Sequence, residues 1–216
     1  NFNFPKMVRE LETEFLSNGL NERQKSISAK VEQVVEEHGN FIYILSDGRS
    51  GSTLLESILN SSLNAISIGE GYRFWERYYK GETLCGCEEA IQRCLFRNEI
   101  HNKLQSSNNY DHQRIRSSIK DLLRFEKFKK IESIVRDSGL YEIIRSYYTA
   151  IAEKSGKDFI IDSSKSASWC KVLSCFQEFD LRIIHLEREL PYVAESWKKS
   201  VRLPEFYDQE KYMPVK

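Results

Sequence analysis

The sequence predicts an α/β domain built on a parallel sheet, on three observations. Short apolar runs at residues 41–45, 159–161 and 181–186 are rich in aromatic and branched side chains and read as buried strands. Between them lie longer segments whose apolar residues recur at helical spacing. The first run passes through a glycine-bearing turn, residues 46–51, straight into such a helix, which is the strand–loop–helix order of a parallel α/β sheet.

Composition narrows the function classes. At 216 residues the chain suits one α/β domain with a sizeable core. Lys+Arg and Asp+Glu both number 32, so no global field argues for nucleic acid. The longest apolar runs are about five residues, far short of the roughly 20 that span a bilayer. Residues 1–5 (NFNFP) lack the charged and apolar regions of a signal peptide. The five cysteines are an odd number, which fits reduced thiols in the cytoplasm better than a disulfide frame. The first residue is Asn1 rather than Met, which leaves a preceding leader open.

Residues 6–37 are charged and helical in pattern. Val8, Leu11 and Phe15 mark one stripe, Ile27, Val31, Val34 and Val35 another, and Asn18-Gly19 breaks the two. The expected organisation is an N-terminal helical extension over residues 1–40 and a domain over residues 41–216.

In the first βα unit, Leu54, Leu55, Ile58 and Leu59 stand at helical spacing, so the helix is expected to be capped by Ser52 or Thr53. A strand, a glycine turn and a helix N-terminus make an anion site: amides point outward, the helix dipole adds partial positive charge, and Gly48 and Gly51 admit a close approach to the backbone. Arg49 adds a full charge on a fork suited to tetrahedral oxyanions. Only two residues separate Gly48 from Gly51, and Ser52 stands where a Walker A lysine would be, so the loop departs from the ATPase pattern.

Residues 60–64 read as a polar turn and residues 65–68 as a short strand. Gly69-Glu70-Gly71 follows, then an aromatic cluster of Tyr72, Phe74, Trp75, Tyr78 and Tyr79, read as an apolar wall behind Glu70. Cys85, Cys87 and Cys94 have spacing that begins a zinc site but supplies only three of four ligands, with His101 seven residues on as the available fourth. Residues 111–155 carry two or three helices, on Leu122, Leu123, Phe125, Phe128, Ile131, Ile134 and Val135, then Tyr141, Ile144, Tyr148 and Ile151. Residues 111–136 hold eight basic against four acidic side chains, a solvated face or the lining of an entry for an acidic acceptor.

Asp162-Ser163-Ser164-Lys165-Ser166 falls where the second core strand ends, and ligands of open α/β sheets gather at such ends. The plain reading makes Ser163 or Ser164 a helix cap and Lys165 a surface residue. A helix over residues 167–176 leads to the strand 181–186, with His185 expected in the core. Arg188-Glu189-Leu190-Pro191 opens the next helix, with proline at its start.

Three of these segments resemble, in order, the bacterial-type sulfotransferases that use 3′-phosphoadenosine 5′-phosphosulfate (PAPS). Arg49-Ser50-Gly51-Ser52-Thr53-Leu54 matches the 5′-phosphosulfate loop of the branch that carries arginine. Residues 162–166 resemble the Asp-Ser-Ser-Lys-Ser segment whose lysine faces the transfer site. Arg188 with Ser196 eight residues on resembles the 3′-phosphate motif, departing from it by Glu189 in place of aspartate and a proline displaced by one. The cysteine segment looks like the Cys-x-Cys insertion of many bacterial members, which favours a structural or redox pair.

The resemblance implies a three-layer α/β/α domain with a central parallel sheet, the P-loop NTPase-like sulfotransferase fold. It implies transfer of a sulfuryl group from PAPS to the hydroxyl or amine of a small-molecule or carbohydrate acceptor, leaving 3′-phosphoadenosine 5′-phosphate (PAP). Arg49, Ser50, Gly51, Ser52 and Thr53 would hold the 5′-phosphosulfate, Arg49 also serving in catalysis. Arg188 and Ser196 would grip the 3′-phosphate, Lys165 would stabilise the bridging oxygen, and Glu70 would be the base, with His101 or His112 in reserve. No metal is required by that arrangement. The rivals are a small-molecule P-loop kinase, with Asp162 as its magnesium acid, and a degenerate nucleotide-binding domain. The latter rests on the sequence stopping 20 residues after Ser196, where members of the family usually continue into a Gly- and Lys-bearing loop over the adenosine.

Overall fold

The computed structural model describes residues 41–106 and 110–198; the extension expected over residues 1–40 lies outside the described residues, as do residues 199–216. The chain opens with β1 (Phe41–Ser46), α1 (Ser52–Ser62) and β2 (Ala65–Gly69). A 3₁₀ turn (Gly71–Arg73) leads into α2 (Phe74–Lys80), α3 (Leu95–Gln105) and α4 (His112–Leu122). A second 3₁₀ segment (Phe125–Lys130) precedes α5 (Ile131–Asp137) and α6 (Leu140–Ser155). The chain then returns to the sheet through β3 (Phe159–Lys165), α7 (Ala167–Leu173), β4 (Leu181–Leu186) and α8 (Leu190–Lys198). The four strands are parallel in the order β2-β3-β1-β4. Among the described residues no helix is long and apolar enough to cross a membrane.

Both faces of β1 are buried, which is why its sequence lacks alternation. Phe41 and Tyr43 enter the larger core with Trp75, Ile144, Tyr148, Trp169 and Leu173 of the helices. Ile42 and Ile44 enter a smaller one with Leu59 of α1, Ala65 and Ile161. Helices on both faces of a parallel sheet are compatible with three layers. Because α1 covers one face and α7 the other, the chain leaves β1 and β3 in opposite directions, and the carboxyl end of β1 becomes the switch point where such sheets hold ligands.

One buried polar network fixes that end of the sheet. Asp162 has no exposed surface. Its Oδ2 accepts from the Tyr148 hydroxyl (2.6 Å), and its Oδ1 accepts from the Ser164 amide (2.8 Å) and the Gly71 amide (3.5 Å). Trp169 Nε1 donates to the same tyrosine oxygen at 3.0 Å. Residues of α6, α7, β3 and the turn after β2 thus meet at one carboxylate. Beside it β3 bulges: Tyr43 pairs with Asp162 but Leu45 pairs with Lys165, so β3 carries one extra residue.

Several local expectations are corrected. Helix α1 continues through Ser62, so residues 60–62 are helical rather than turn. Ser163 and Ser164 lie in β3, whose bulge carries the strand past them, and the cap of α7 is Ser166, whose Oγ accepts from the Trp169 amide at 3.2 Å. That helix ends at Leu173, short of the expected 176. His185 is exposed beside Glu187 at 3.5 Å rather than in the core, because β4 is an edge of the sheet among the described residues and the face that carries Ile183 and His185 is left exposed there.

A Cβ at position 71 would lie 2.8 Å from the Tyr148 hydroxyl, and closer still to Asp162 Oδ2. Gly71→Ala should therefore destabilise the fold by about 1–3 kcal/mol through overpacking, read by chemical denaturation. Unchanged stability would mean that the network is not seated as described.

Candidate functional site

The loop between β1 and α1 closes on itself. Ser50 donates both its amide (3.4 Å) and its hydroxyl (2.7 Å) to the Asp47 carbonyl, so its side chain shapes the loop instead of pointing at a ligand. Arg49 and Gly51 adopt left-handed backbone, φ 72 and 99. Gly51, and neither Ser52 nor Thr53, is the N-cap of α1, and no side chain caps it. The first-turn amides of α1, which a helix leaves without carbonyl partners, are thus not taken by a side chain of the cap. Two further polar atoms are buried there without partners among the described residues: Ser46 Oγ and Arg49 Nε. An uncapped helix start and buried unpaired donors together make a cradle for an anion.

The segment after β4 folds back onto this loop. Arg188 donates to the Arg49 carbonyl at 3.0 Å. The Arg49 guanidinium lies 5.7 Å from the centre of the Trp197 ring, and a Cβ on Gly48 would sit 2.9 Å from that ring. A side chain at position 48 would therefore have to displace the Trp197 ring. Ser196, half-buried, precedes that tryptophan on α8.

Glu70 and Lys165 are brought together separately. Glu70 Oε2 is held by Arg73 (2.8 Å) and Arg77 (3.1 Å), and Oε1 faces Lys165 Nζ at 3.7 Å. Lys165, at the end of the bulged β3, has φ 64 and is one of only three non-glycine residues with positive φ among those described. Such backbone gathers at functional positions, since each case costs free energy that its surroundings must supply. No hydrogen bond or ion pair joins the Glu70–Lys165 pair to the Arg49–Arg188 pair. They are related through the sheet, where Lys165 pairs with Leu45, one residue before β1 ends.

Glu56 of α1 is the tie that sequence reading missed. Its Oε1 accepts from the Ser67 hydroxyl and from the Gly69 amide (3.1 Å), and its Oε2 from the Ser163 hydroxyl. It locks α1 to the ends of β2 and β3, beside Glu70 and Lys165. Arg73 and Arg77 were also missed, although their spacing of three and seven from Glu70 on a helical run is a readable signal. Nothing local to Glu56 points to its partners.

Other expectations change role. Asp162 lies in the buried network, and burial pushes its carboxyl from the ordinary 3.8 up to about 6 against the hydrogen bonds that lower it. Phe74, Trp75 and Tyr78 are core residues and so form no acceptor wall; Tyr72 is half-buried and its hydroxyl accepts from Arg73 at 3.0 Å. His101 stacks on Tyr78 with ring centres 3.9 Å apart, and His112 holds the Trp75 carbonyl and the Tyr110 hydroxyl. Burial lowers the pKa of both imidazoles. Neither histidine is hydrogen-bonded to Glu70, Lys165 or the β1–α1 loop. His101 does not join the three cysteine sulfurs either.

Comparison with protein-family models, with curated proteins and with solved structures returned no match.

The buried carboxyl makes stability depend on pH in a defined direction. Its folded pKa lies above the unfolded one, so between about pH 4 and 6 the folded state binds more protons and its stability falls as pH rises. Asp162→Asn keeps the acceptor oxygen but cannot ionise. The stability of the parent relative to Asp162→Asn should therefore drop by about 3 kcal/mol across that window, measured by denaturation at a series of pH values. Parallel curves for the two proteins would refute it.

Proposed function

We propose that this chain is a PAPS-dependent sulfotransferase, with the P-loop-like α/β/α fold of that family, transferring a sulfuryl group to an acceptor hydroxyl or amine. The observation that carries the reading is the Arg188–Arg49 contact. It brings the two segments that resemble the 5′- and 3′-phosphate motifs to one place, at the carboxyl end of β1. The cradle fits such a donor: an uncapped helix start, Arg49 with an unpaired buried Nε, and Ser46 with an unpaired hydroxyl.

Bound there, the donor would supply the activated sulfuryl group. Arg49 and the backbone of Gly51, Ser52 and Thr53 hold its 5′ end, with Ser50 keeping the loop closed, while Arg188 and Ser196 take the 3′-phosphate. This is positioning and charge stabilisation in place of covalent chemistry. Lys165 supplies positive charge for the bridging oxygen. Glu70 takes the acceptor proton on Oε1, which faces Lys165 and is aimed there because Arg73 and Arg77 pin the other oxygen. The kinase alternative is weakened by Asp162, its candidate magnesium acid, which is wholly buried and spent on Tyr148, Ser164 and Gly71.

Donor selectivity is the direct test. The protein should bind PAP well ahead of AMP or ADP by calorimetry, and Arg188→Ala should remove most of that preference, about 1.5–3 kcal/mol for a charge-assisted bond. Equal affinity of the parent for AMP would sink the assignment.

Turnover tests the base. With labelled donor and an acceptor panel, Glu70→Gln should slow sulfuryl transfer by about 10²–10⁴ while PAP affinity barely moves. Omitting magnesium should leave the parent rate unchanged. Parent-like turnover by Glu70→Gln would move the proton to another group, and strict magnesium dependence would favour the kinase.

A further inference from the structure

The connection between α2 and α3 has no part in the chemistry above, yet it is closely built. Its buried side chains are few: Thr83, Ile91 and Cys94. Backbone bonds give it shape, with a Leu84–Ala90 antiparallel bridge, Cys85 N–H to the Glu89 carbonyl (2.8 Å), Glu88 N–H to the Cys85 carbonyl (2.9 Å) and Cys94 N–H to the Ala90 carbonyl (3.0 Å). Glu88 is the third non-glycine residue with positive φ, at 69. What this folding achieves is convergence: the sulfurs of Cys85, Cys87 and Cys94 all lie within 4.8 Å of one another. In a tetrahedral thiolate site with zinc–sulfur bonds of about 2.3 Å, sulfurs stand roughly 3.8 Å apart.

We propose that Cys85, Cys87 and Cys94 bind a zinc ion as three thiolates, with a solvent molecule at the fourth position beside exposed Cys87. The backbone of Cys87 stands by the Cys85 sulfur and that of Arg97 by the sulfur of Cys94, the N-cap of α3. The charge balance is specific. The Arg97 guanidinium donates to the Ile68 carbonyl (3.1 Å) and toward the Tyr147 hydroxyl (3.4 Å), and it faces Cys85. It pairs with no carboxylate among the described residues. Three thiols binding a dication release three protons and leave a complex of net charge −1, which matches that guanidinium. A disulfide would engage two sulfurs, strand the third, and leave Arg97 without a counter-charge. His101, turned to Tyr78, is not the fourth ligand. The ion would staple the α2–α3 connection and, through Arg97, the carbonyl of Ile68, two residues before Glu70. This inference is independent of the sulfuryl-transfer reading.

The test is metal analysis of the intact protein, followed by replacement with cobalt(II). Zinc should be present at one equivalent per chain, and cobalt should give the intense visible bands of a tetrahedral thiolate site. Cys87→Ser, at an exposed position, should weaken cobalt binding by about 100-fold or more, as should Cys94→Ser, whereas Cys175→Ser outside the cluster should not. A reductant-free preparation lighter by two hydrogens, with two of the three cysteines protected from alkylation until reduction, would replace the proposal with a disulfide. Weak, octahedral cobalt spectra with all three thiols freely alkylated would overturn it outright.

Discussion

The geometry of the site depends on a carboxylate that faces no ligand. Burying Asp162 removes it from water at a cost of several kcal/mol, and only an ordered set of donors offsets that. The donors come from Tyr148, Ser164 and the amide of Gly71, with Trp169 bracing the tyrosine. Satisfying one side chain therefore fixes where β2 ends, where β3 bulges and how α6 and α7 seat against the sheet. Glu70 and Lys165 each lie one residue from a member of this set, Gly71 and Ser164, so their separation is a product of the network. The ion pair between them, part-exposed and 3.7 Å long, has little power to set it.

Much of the fold was legible because its signals are local. The strand cores at 41–45, 65–68 and 181–186 differ from β1, β2 and β4 by a residue at most, since short runs rich in branched and aromatic side chains leave few other readings. The loop was legible for the same reason: glycine, arginine and serine between a strand and a helix restrict what the backbone can do. The errors fall where long-range contact overrides local preference. Ser163 and Ser164 look like caps, but pairing with β1 as far as Lys165 extends β3 past them. His185 looks like a core residue until the sheet order places β4 at an edge. Glu56, in an ordinary amphipathic helix, shows nothing in sequence of the three groups it accepts from.

The two halves of the candidate site differ in how they are held. Glu70 is fixed by neighbours three and seven positions along its own helical run, an arrangement that forms with that segment. The loop and Arg188 are 139 residues apart and meet only when β4 has joined the sheet. That contact is exposed and consists of one hydrogen bond with Trp197 packed alongside, so it belongs to the less stable end of the molecule. A loop closed by its weakest element can open without disturbing the core.

The left-handed backbone at Arg49 and Lys165 has a consequence for how this protein would respond to selection. An L-residue there gives up roughly 1–2 kcal/mol that glycine would not. Replacing either by glycine relieves that strain while deleting a charge assigned to the chemistry. A library sorted for thermal resistance and one sorted for turnover should then rank the same substitution at opposite ends. Directed stabilisation of this fold would drift toward loss of the proposed activity at these two positions unless both properties are screened together.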